Sequence, residues 1–354
     1  MSFFVSKQGV RNLEKGYNKG KIPEKGELME RALLLEKTEE GSVLKYRNIE
    51  LPNLSDGEVR IRVSYTGINY KDRLAVDASS KVVRKYPMVP GIDFSGVVED
   101  SKSRDFAVGD QVFVTGYGYG TDQPGGYQET VIVKQEHLMR LPEEMSLKDV
   151  MIYGTAGFTA ALSVDAIEKA LGSLDGKRVL VTGGSGGVSS HGVLILCALG
   201  AEVTVASRSL ENEAYLESLG AREVILFDSL LEKRRALSVE KWDGVLDTTG
   251  GEALGNILTE VKYGGIVCAS GNLSGIRFES TVFPFILRGI TLKGIDSVMV
   301  DHAMRNEIFR KLATTWSSVG LERMLKKVIS FKELHEELLQ SSVGVGRVLV
   351  DMSM

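Results

Sequence analysis

From Met29 to about Met151, apolar and polar positions alternate over short runs: ERALLLE, SVLKYRNIEL, EVRIRVSYTGI, GIDFSGVVED, DQVFVTG and YQETVIVK. Gly, Asp, Asn or Pro separates these runs. Alternation with period two places every second side chain on one buried face, so each run predicts a strand. Val59, Ile61, Val63 and Tyr65 show it most clearly. Around residues 153–176 the pattern changes. YGTAGFTAALSVDAIEKALGSLDGKR predicts a helix entry and a helix of roughly four turns, and marks a domain boundary. Beyond it, KRVLVTGGSGGVSSHGVLILCALGAEVTVAS reads as buried strand, glycine turn, helix and second strand, a βαβ unit. LGAREVILFD, WDGVLDTTGG, EALGNILTEVKYGGIVCAS and ITLKGIDSV continue the alternation of strand and amphipathic helix. Phe331 to Val350 adds a helix and a last strand. The predicted class is α/β: a β-rich domain followed by a doubly wound parallel sheet.

The glycine turn after Val179–Val181 carries the first chemistry. Gly183, Gly184, Ser185, Gly186, Gly187 and Val188 bring backbone N–H groups close together where a helix begins. Such a terminus holds an anion, here the diphosphate of a dinucleotide. The spacing G-x-G-x-x-G is met by Gly184 and Gly186, but Ser189 stands where the third glycine is expected. The second strand ends in Ala206, Ser207 and Arg208, with no acid to hold the ribose of NAD. Ser207 and Arg208 suit a 2′-phosphate, so NADP(H) is the expected cofactor, with an ordinary solvated arginine as the alternative. In an open parallel sheet the ligand crevice lies at the carboxyl ends of the strands. Asp247, Ser270, Gly271 and Asn272 are therefore expected at its edge, whereas Gly264 and Gly265 are read equally well as turn residues.

Composition narrows the field. The chain has 354 residues, about 2.4 domains at a typical domain size. Lys and Arg total 43 against 47 Asp and Glu, so there is no general electrostatic case for nucleic acid or anionic membrane. Two cysteines, Cys197 and Cys268, exclude a disulfide framework and an all-cysteine zinc site. Gly is in excess, 39 residues against a usual share of about 7 %. The opening MSFFVSKQGVRNLEKGYNKGKIPEKG has no sustained apolar core, and no later stretch combines length and apolarity as a membrane span does. A cytoplasmic protein is expected, with residues 1–28 as a leader of no assigned role.

The chain resembles the medium-chain dehydrogenase/reductase superfamily, specifically its zinc-free quinone-oxidoreductase-like branch and, within that, the bacterial acryloyl-CoA reductases. The resemblance covers about Met29 to Val350. It rests on GINYKD at 67–72, YPMVPGIDFSG at 86–96, FAVGDQV at 106–112, GGYQE at 125–129, YGTAGFTA at 153–160, LVTGGSGGV at 180–188 and FPFILRGITLKGIDSV at 283–298. It implies a GroES-like catalytic domain over 29–153 and 293–354 and a Rossmann domain over 154–292. Zinc-dependent relatives place a ligating Cys where this chain has Asn69, and a His-Glu pair where it has Ile92 and Asp93, so no metal is expected.

The same resemblance implies hydride transfer from NADPH to the β-carbon of an α,β-unsaturated acyl-CoA, with protonation at the α-carbon. Asn69 is expected to orient ribose or substrate, and Tyr70 to donate its phenolic proton or a hydrogen bond to the thioester oxygen, water being the other proton source. Thr155 and Thr159 are expected near the nicotinamide or phosphate region, Phe285, Ile286 and Leu287 beside the nicotinamide, and Arg347 at the cofactor's edge. A quinone or general enone reductase is the alternative activity, and an NADPH-binding interaction protein the non-enzymatic one. A homodimer is expected through an edge strand near GIDSVMVDHAMR.

Overall fold

The computed structural model describes residues 29–39, 41–77, 80–232, 234–317, 320–340 and 344–354. The leader expected over residues 1–28 lies outside them. Among the described residues the chain divides into two compact units: those within 29–154, 327–340 and 348–354 in the first, and those within 155–326 and 344–347 in the second.

The first unit is built on strands. β1 (Met29–Thr38) and β2 (Gly41–Glu50) form an antiparallel hairpin in which Leu35 faces Leu44. β3 (Glu58–Gly67) leads into a short helix, α1 (Tyr70–Val76). β4 (Asp93–Ser101), β5 (Gln111–Thr115), β6 (Thr130–Lys134) and β7 (Met139–Arg140) follow. β3 pairs antiparallel with both β4 and β6. Val59, Ile61 and Val63 are buried, as their alternation predicts, in a core shared with Phe94, Val112, Val114, Val131 and Val133. Tyr65 breaks the pattern: the register with β4 shifts between Val63 and Tyr65, and the buried positions beyond it are Thr66 and Gly67. A shift of this kind turns the following side chains to the other face, which simple alternation cannot foresee.

A long helix, α2 (Leu147–Leu171), leaves the first unit and enters the second. It is interrupted at Gly154, whose φ of 48° and ψ of −152° are closed to residues with a side chain. By length and composition α2 would cross a membrane, a feature the sequence reading did not credit, but 89 % of its apolar window is buried inside the protein.

The second unit runs β8 (Arg178–Thr182), α3 (Gly187–Ala198), β9 (Glu202–Ser207), α4 (Glu213–Ser218), β10 (Glu223–Leu226), β11 (Trp242–Asp247), α5 (Gly251–Leu258), β12 (Val261–Ala269), α6 (Phe283–Arg288), β13 (Thr291–Gly294) and α7 (His302–Ala313). Its six strands lie in the order β10-β9-β8-β11-β12-β13, all neighbours parallel. Counted from β8 this is 3-2-1-4-5-6, the doubly wound dinucleotide-binding order. Val179–Val181, Val245, Leu246 and Val267 are almost fully buried, as strands covered on both faces must be.

The return to the first unit comes later than expected. A boundary at residue 293 would cut through β13, which pairs with β12 from Ile266↔Thr291 to Ala269↔Gly294. Strand pairing keeps that segment and α7 in the second unit, and the chain re-enters the first at Lys327. There β14 (Leu325–Ser330), α8 (Leu334–Leu339) and β15 (Arg347–Asp351) follow, and β15 pairs antiparallel with β3.

Candidate active site

In the second unit the expected cofactor residues meet at the carboxyl ends of β8, β9, β11 and β12. Gly183 and Gly184 have φ of 97° and 54°. A Cβ on Gly183 would overlap the Thr248 hydroxyl, and one on Gly184 would stand 2.6 Å from Ser207 Oγ. Only glycine lets β8 turn this tightly beside its two neighbours. Gly186 then takes the capping position of α3, and Gly186 and Gly187 are exposed, with Ser185 and Val188 half-buried. The first turn of α3 thus offers backbone N–H groups that the helix cannot satisfy internally. Ser189, the departure from the glycine spacing, donates from Oγ to the Thr182 carbonyl at 2.7 Å. The tight helix-to-strand approach falls one turn later, where a Cβ on Gly192 would stand 2.6 Å from Leu246 Cδ1.

Asp247 belongs to this site only as a brace. It is fully buried, and its carboxylate accepts from Thr182 Oγ1 (2.6 Å), Thr249 Oγ1 (2.8 Å), Thr249 N (3.2 Å) and Gly250 N (2.9 Å). Those donors leave it little capacity for a ligand, so it ties β8, β11 and α5 together instead of edging the crevice with its side chain. Ser270 donates from N to the Asp247 carbonyl at 2.8 Å, and Gly271 and Asn272 are exposed just beyond.

At the tip of β9 Ser207 is buried and donates to the Ser209 carbonyl at 2.8 Å. Arg208 is exposed and enters no ion pair among the described residues, leaving its guanidinium directed to solvent. Thr159 donates to the Thr155 carbonyl (2.7 Å) and lies 2.8 Å from the Ser297 hydroxyl, so it joins α2 to the segment after β13. On α6, Phe285 packs against the sheet core while Ile286 and Leu287 are exposed. Arg288 beside them donates to the carbonyls of Ser238, Thr259 and Val261, a structural clamp on β12. Arg347, expected at the cofactor's edge, stands at the start of β15 and is buried at 5 % exposure.

In the first unit, Asn69 caps α1 and forms a reciprocal capping box with Asp72. Its Nδ2 donates to Asp93 Oδ2 (2.9 Å) and Asp72 Oδ2 (3.2 Å), and its backbone N to Asp72 Oδ2 (2.8 Å). Asp72 also accepts from Gly91 N and Ile92 N, and Asp93 from Gly67 N. Both carboxyls are fully buried. Burial, and next the Asp93 carboxylate, push Asp72 up to about 7. The Tyr127 phenol, buried beside them, is held well above its usual range, chiefly by burial and then by Asp72 and Asp93. Asn69 therefore acts through its amide on two acids and does not offer it outward, contrary to the expected role on ribose or substrate. Tyr70, the next residue, is 62 % exposed and presents its ring to solvent.

Three participants escaped the sequence reading. Asp93 carried a signal, since the resemblance sets a His-Glu pair where this chain has Ile92 and Asp93. Thr182 and Thr248 gave none, because short polar side chains at strand ends are common in any sheet. Among the described residues no group of three or more His, Cys, Asp or Glu is arranged to hold a metal ion.

Comparison with known proteins agrees with these units. The alcohol dehydrogenase GroES-like domain family matches residues 55–143, and the family described as zinc-binding dehydrogenase matches residues 187–314. The Bacillus subtilis protein named "Putative quinone oxidoreductase YhfP" is 38 % identical, over 91 % of this chain and 98 % of its own. Its crystal structure with NAD bound matches at a TM-score of 0.88, covering 92 % of this chain and 100 % of that one. Acrylyl-CoA reductase AcuI of Ruegeria pomeroyi is 39 % identical over 91 % of this chain and 99 % of its own. The yhdH oxidoreductase of Salmonella enterica, solved in complex with NADP, is 36 % identical with a TM-score of 0.84, covering 91 % of this chain and 99 % of that one. Likeness of this extent, reaching through both units, makes the chain a member of the medium-chain dehydrogenase/reductase superfamily, within its zinc-independent quinone-oxidoreductase branch.

Proposed function

We propose that the protein is an NADP(H)-dependent oxidoreductase that reduces the activated carbon–carbon double bond of small unsaturated substrates, an enone or quinone. The observation that carries the reading is the pairing of the β8–α3 glycine turn with an exposed Arg208, and no carboxylate, at the end of β9. A carboxylate there would accept from the 2′-hydroxyl of NAD and repel a 2′-phosphate, whereas a guanidinium neutralises it. The yhdH oxidoreductase was solved with NADP and YhfP with NAD, so the choice between them falls to the residues of this chain.

When bound, the dihydronicotinamide supplies a hydride for the β-carbon of the substrate. The chain's own work is binding, orientation and charge. The N–H groups of Gly187 and Val188 in the first turn of α3 hold the diphosphate, that of Gly186 being given to the Gly183 carbonyl at 3.1 Å. Arg208 holds the 2′-phosphate, and the Thr155–Thr159 segment, Ile286 and Leu287 line the reduced ring. Tyr70 donates a hydrogen bond to the substrate oxygen as negative charge develops on it, and its phenol or water supplies the proton that the α-carbon takes up. Asn69, Asp72 and Asp93 fix the start of α1 and with it the backbone of Tyr70.

A narrower reading, an α,β-unsaturated acyl-CoA such as acryloyl-CoA, is favoured by the 39 % identity to acrylyl-CoA reductase AcuI. A homodimer also belongs to this proposal, with sedimentation as its check; GIDSVMVDHAMR, expected to supply its edge strand, is strand only at Gly294 and passes through irregular chain into α7, which leaves β13 as the strand at that sheet edge. Steady-state oxidation of NADPH and NADH with a small quinone, a simple enone, acryloyl-CoA and crotonyl-CoA tests the substrate class. Turnover of the enone or quinone with NADPH preferred supports the reading. A kcat/KM for the acyl-CoA esters far above both would replace it with the narrower one, and no turnover of any acceptor would remove it.

A further inference from the structure

Asn212 ends a 3₁₀ turn, Leu210–Asn212, that runs directly into α4 and is capped by Ser209. Its side chain is therefore not needed as a cap and makes no bond to the first turn of α4. Asn212 Nδ2 reaches across to donate to Ser185 Oγ at 3.1 Å. Ser185 is the central residue of the glycine turn, between Gly184 at φ 54° and Gly186 at the capping position of α3. The turn that carries Asn212 is fixed from its own side: Ser209 accepts at Oγ from Glu211 N at 3.1 Å, and Ser207 donates to the Ser209 carbonyl at 2.8 Å. A glycine-rich loop loses more freedom than any other on becoming ordered. A tie to a braced turn removes part of that loss before a ligand arrives.

We propose that Asn212 is a positioning residue for the diphosphate loop, acting through Ser185 and on no substrate or cofactor atom of its own. The inference rests on the dinucleotide reading given above. Because the diphosphate is common to both cofactors, the tie serves NADPH and NADH alike, which separates it from Arg208, a residue selective for the 2′-phosphate.

The test is fluorescence titration of NADPH, NADH and adenosine 2′-phosphate into the full chain and its Asn212→Ala, Ser185→Ala and doubly substituted forms. Asn212→Ala is expected to weaken NADPH and NADH by the same factor, about fivefold to tenfold, the order of one hydrogen bond. Adenosine 2′-phosphate, which has no diphosphate, keeps its affinity, and the double variant is no weaker than the weaker single one. Unchanged dinucleotide affinity in Asn212→Ala would overturn the inference. So would equal loss of adenosine 2′-phosphate, which would mark a collapsed β9 turn, or additive effects of the two substitutions. An unsubstituted chain that binds neither dinucleotide would overturn the cofactor reading itself, and the inference with it.

Discussion

Asn69 Nδ2 lies 2.9 Å from Asp93 Oδ2, an amide–carboxylate hydrogen bond that joins the start of α1 to the start of β4. With Asp72 Oδ2 at 3.2 Å on the other amide hydrogen, a single neutral side chain separates two buried acids. Replacing Asn69 by Ala leaves both carboxyls short of a donor and removes the cap of α1. A loss of about 2–4 kcal/mol is expected in urea unfolding, from unsatisfied buried acceptors and a missing cap. Asn69→Asp should cost at least as much, since it adds a third acid. A stability unchanged in both variants would show that the amide does not hold the pair.

Asp72 gives the first unit a pH dependence of defined sign. Its ordinary value is 3.8 and its folded value about 7, so between those limits the folded chain keeps a proton that the unfolded chain releases. Its stabilising contribution is complete below about pH 4 and is lost as pH rises through 7. The gap in stability between the unsubstituted chain and Asp72→Asn should therefore narrow from pH 5 to pH 8, measured by urea unfolding across that range. Asp72→Asn should be less stable throughout, because its amide meets that of Asn69 where a carboxyl oxygen accepted. A gap that widens with pH would contradict the assignment.

Arg208 is the residue proposed to set the choice between the two dinucleotides. Arg208→Ala should weaken NADPH by about tenfold to a hundredfold, the range of a charge-assisted contact to phosphate. NADH should change little, and the NADPH penalty should shrink as salt is added. Parallel titrations at low and high ionic strength check both statements, and an unaltered NADPH-to-NADH ratio would sink the phosphate clamp.

Tyr70→Phe isolates one hydroxyl. The ring is 62 % exposed, so the substitution should leave the unfolding transition in place. It should lower kcat by about tenfold or more if the phenol stabilises charge on the substrate oxygen. Full activity in the variant would assign the proton to water and the orientation to other groups.

The doubly wound sheet could be read from the sequence because its signals are local. A buried run ending in Gly183 and Gly184, an apolar helix and AEVTVAS follow one another within thirty residues. The end of the second unit could not, since what keeps Thr291–Gly294 there is pairing with β12, a contact between strands that a linear pattern does not record. The same holds inside the site. The place of Arg208 just past β9 was visible because a strand end names its own neighbours, while the hydrogen bonding of Asn69 depended on Asp93, 24 residues away. Asp247 was misread for a related reason: its place at a strand end was right, but four donors, from the end of β8 and from the Thr249–Gly250 turn, had already taken its carboxylate. Asn212 gave no signal at all, because the partner its amide reaches lies 27 residues back in the chain.

The most direct test of the proposed chemistry is the fate of the label when NADPH deuterated at C4, on each face in turn, reduces a simple enone. One deuterium at the β-carbon of a saturated ketone, from one face of the cofactor only, is the expected product by mass spectrometry and NMR. Deuterium on the carbonyl carbon of an unsaturated alcohol would contradict conjugate reduction and place the chain with the carbonyl reductases of its superfamily.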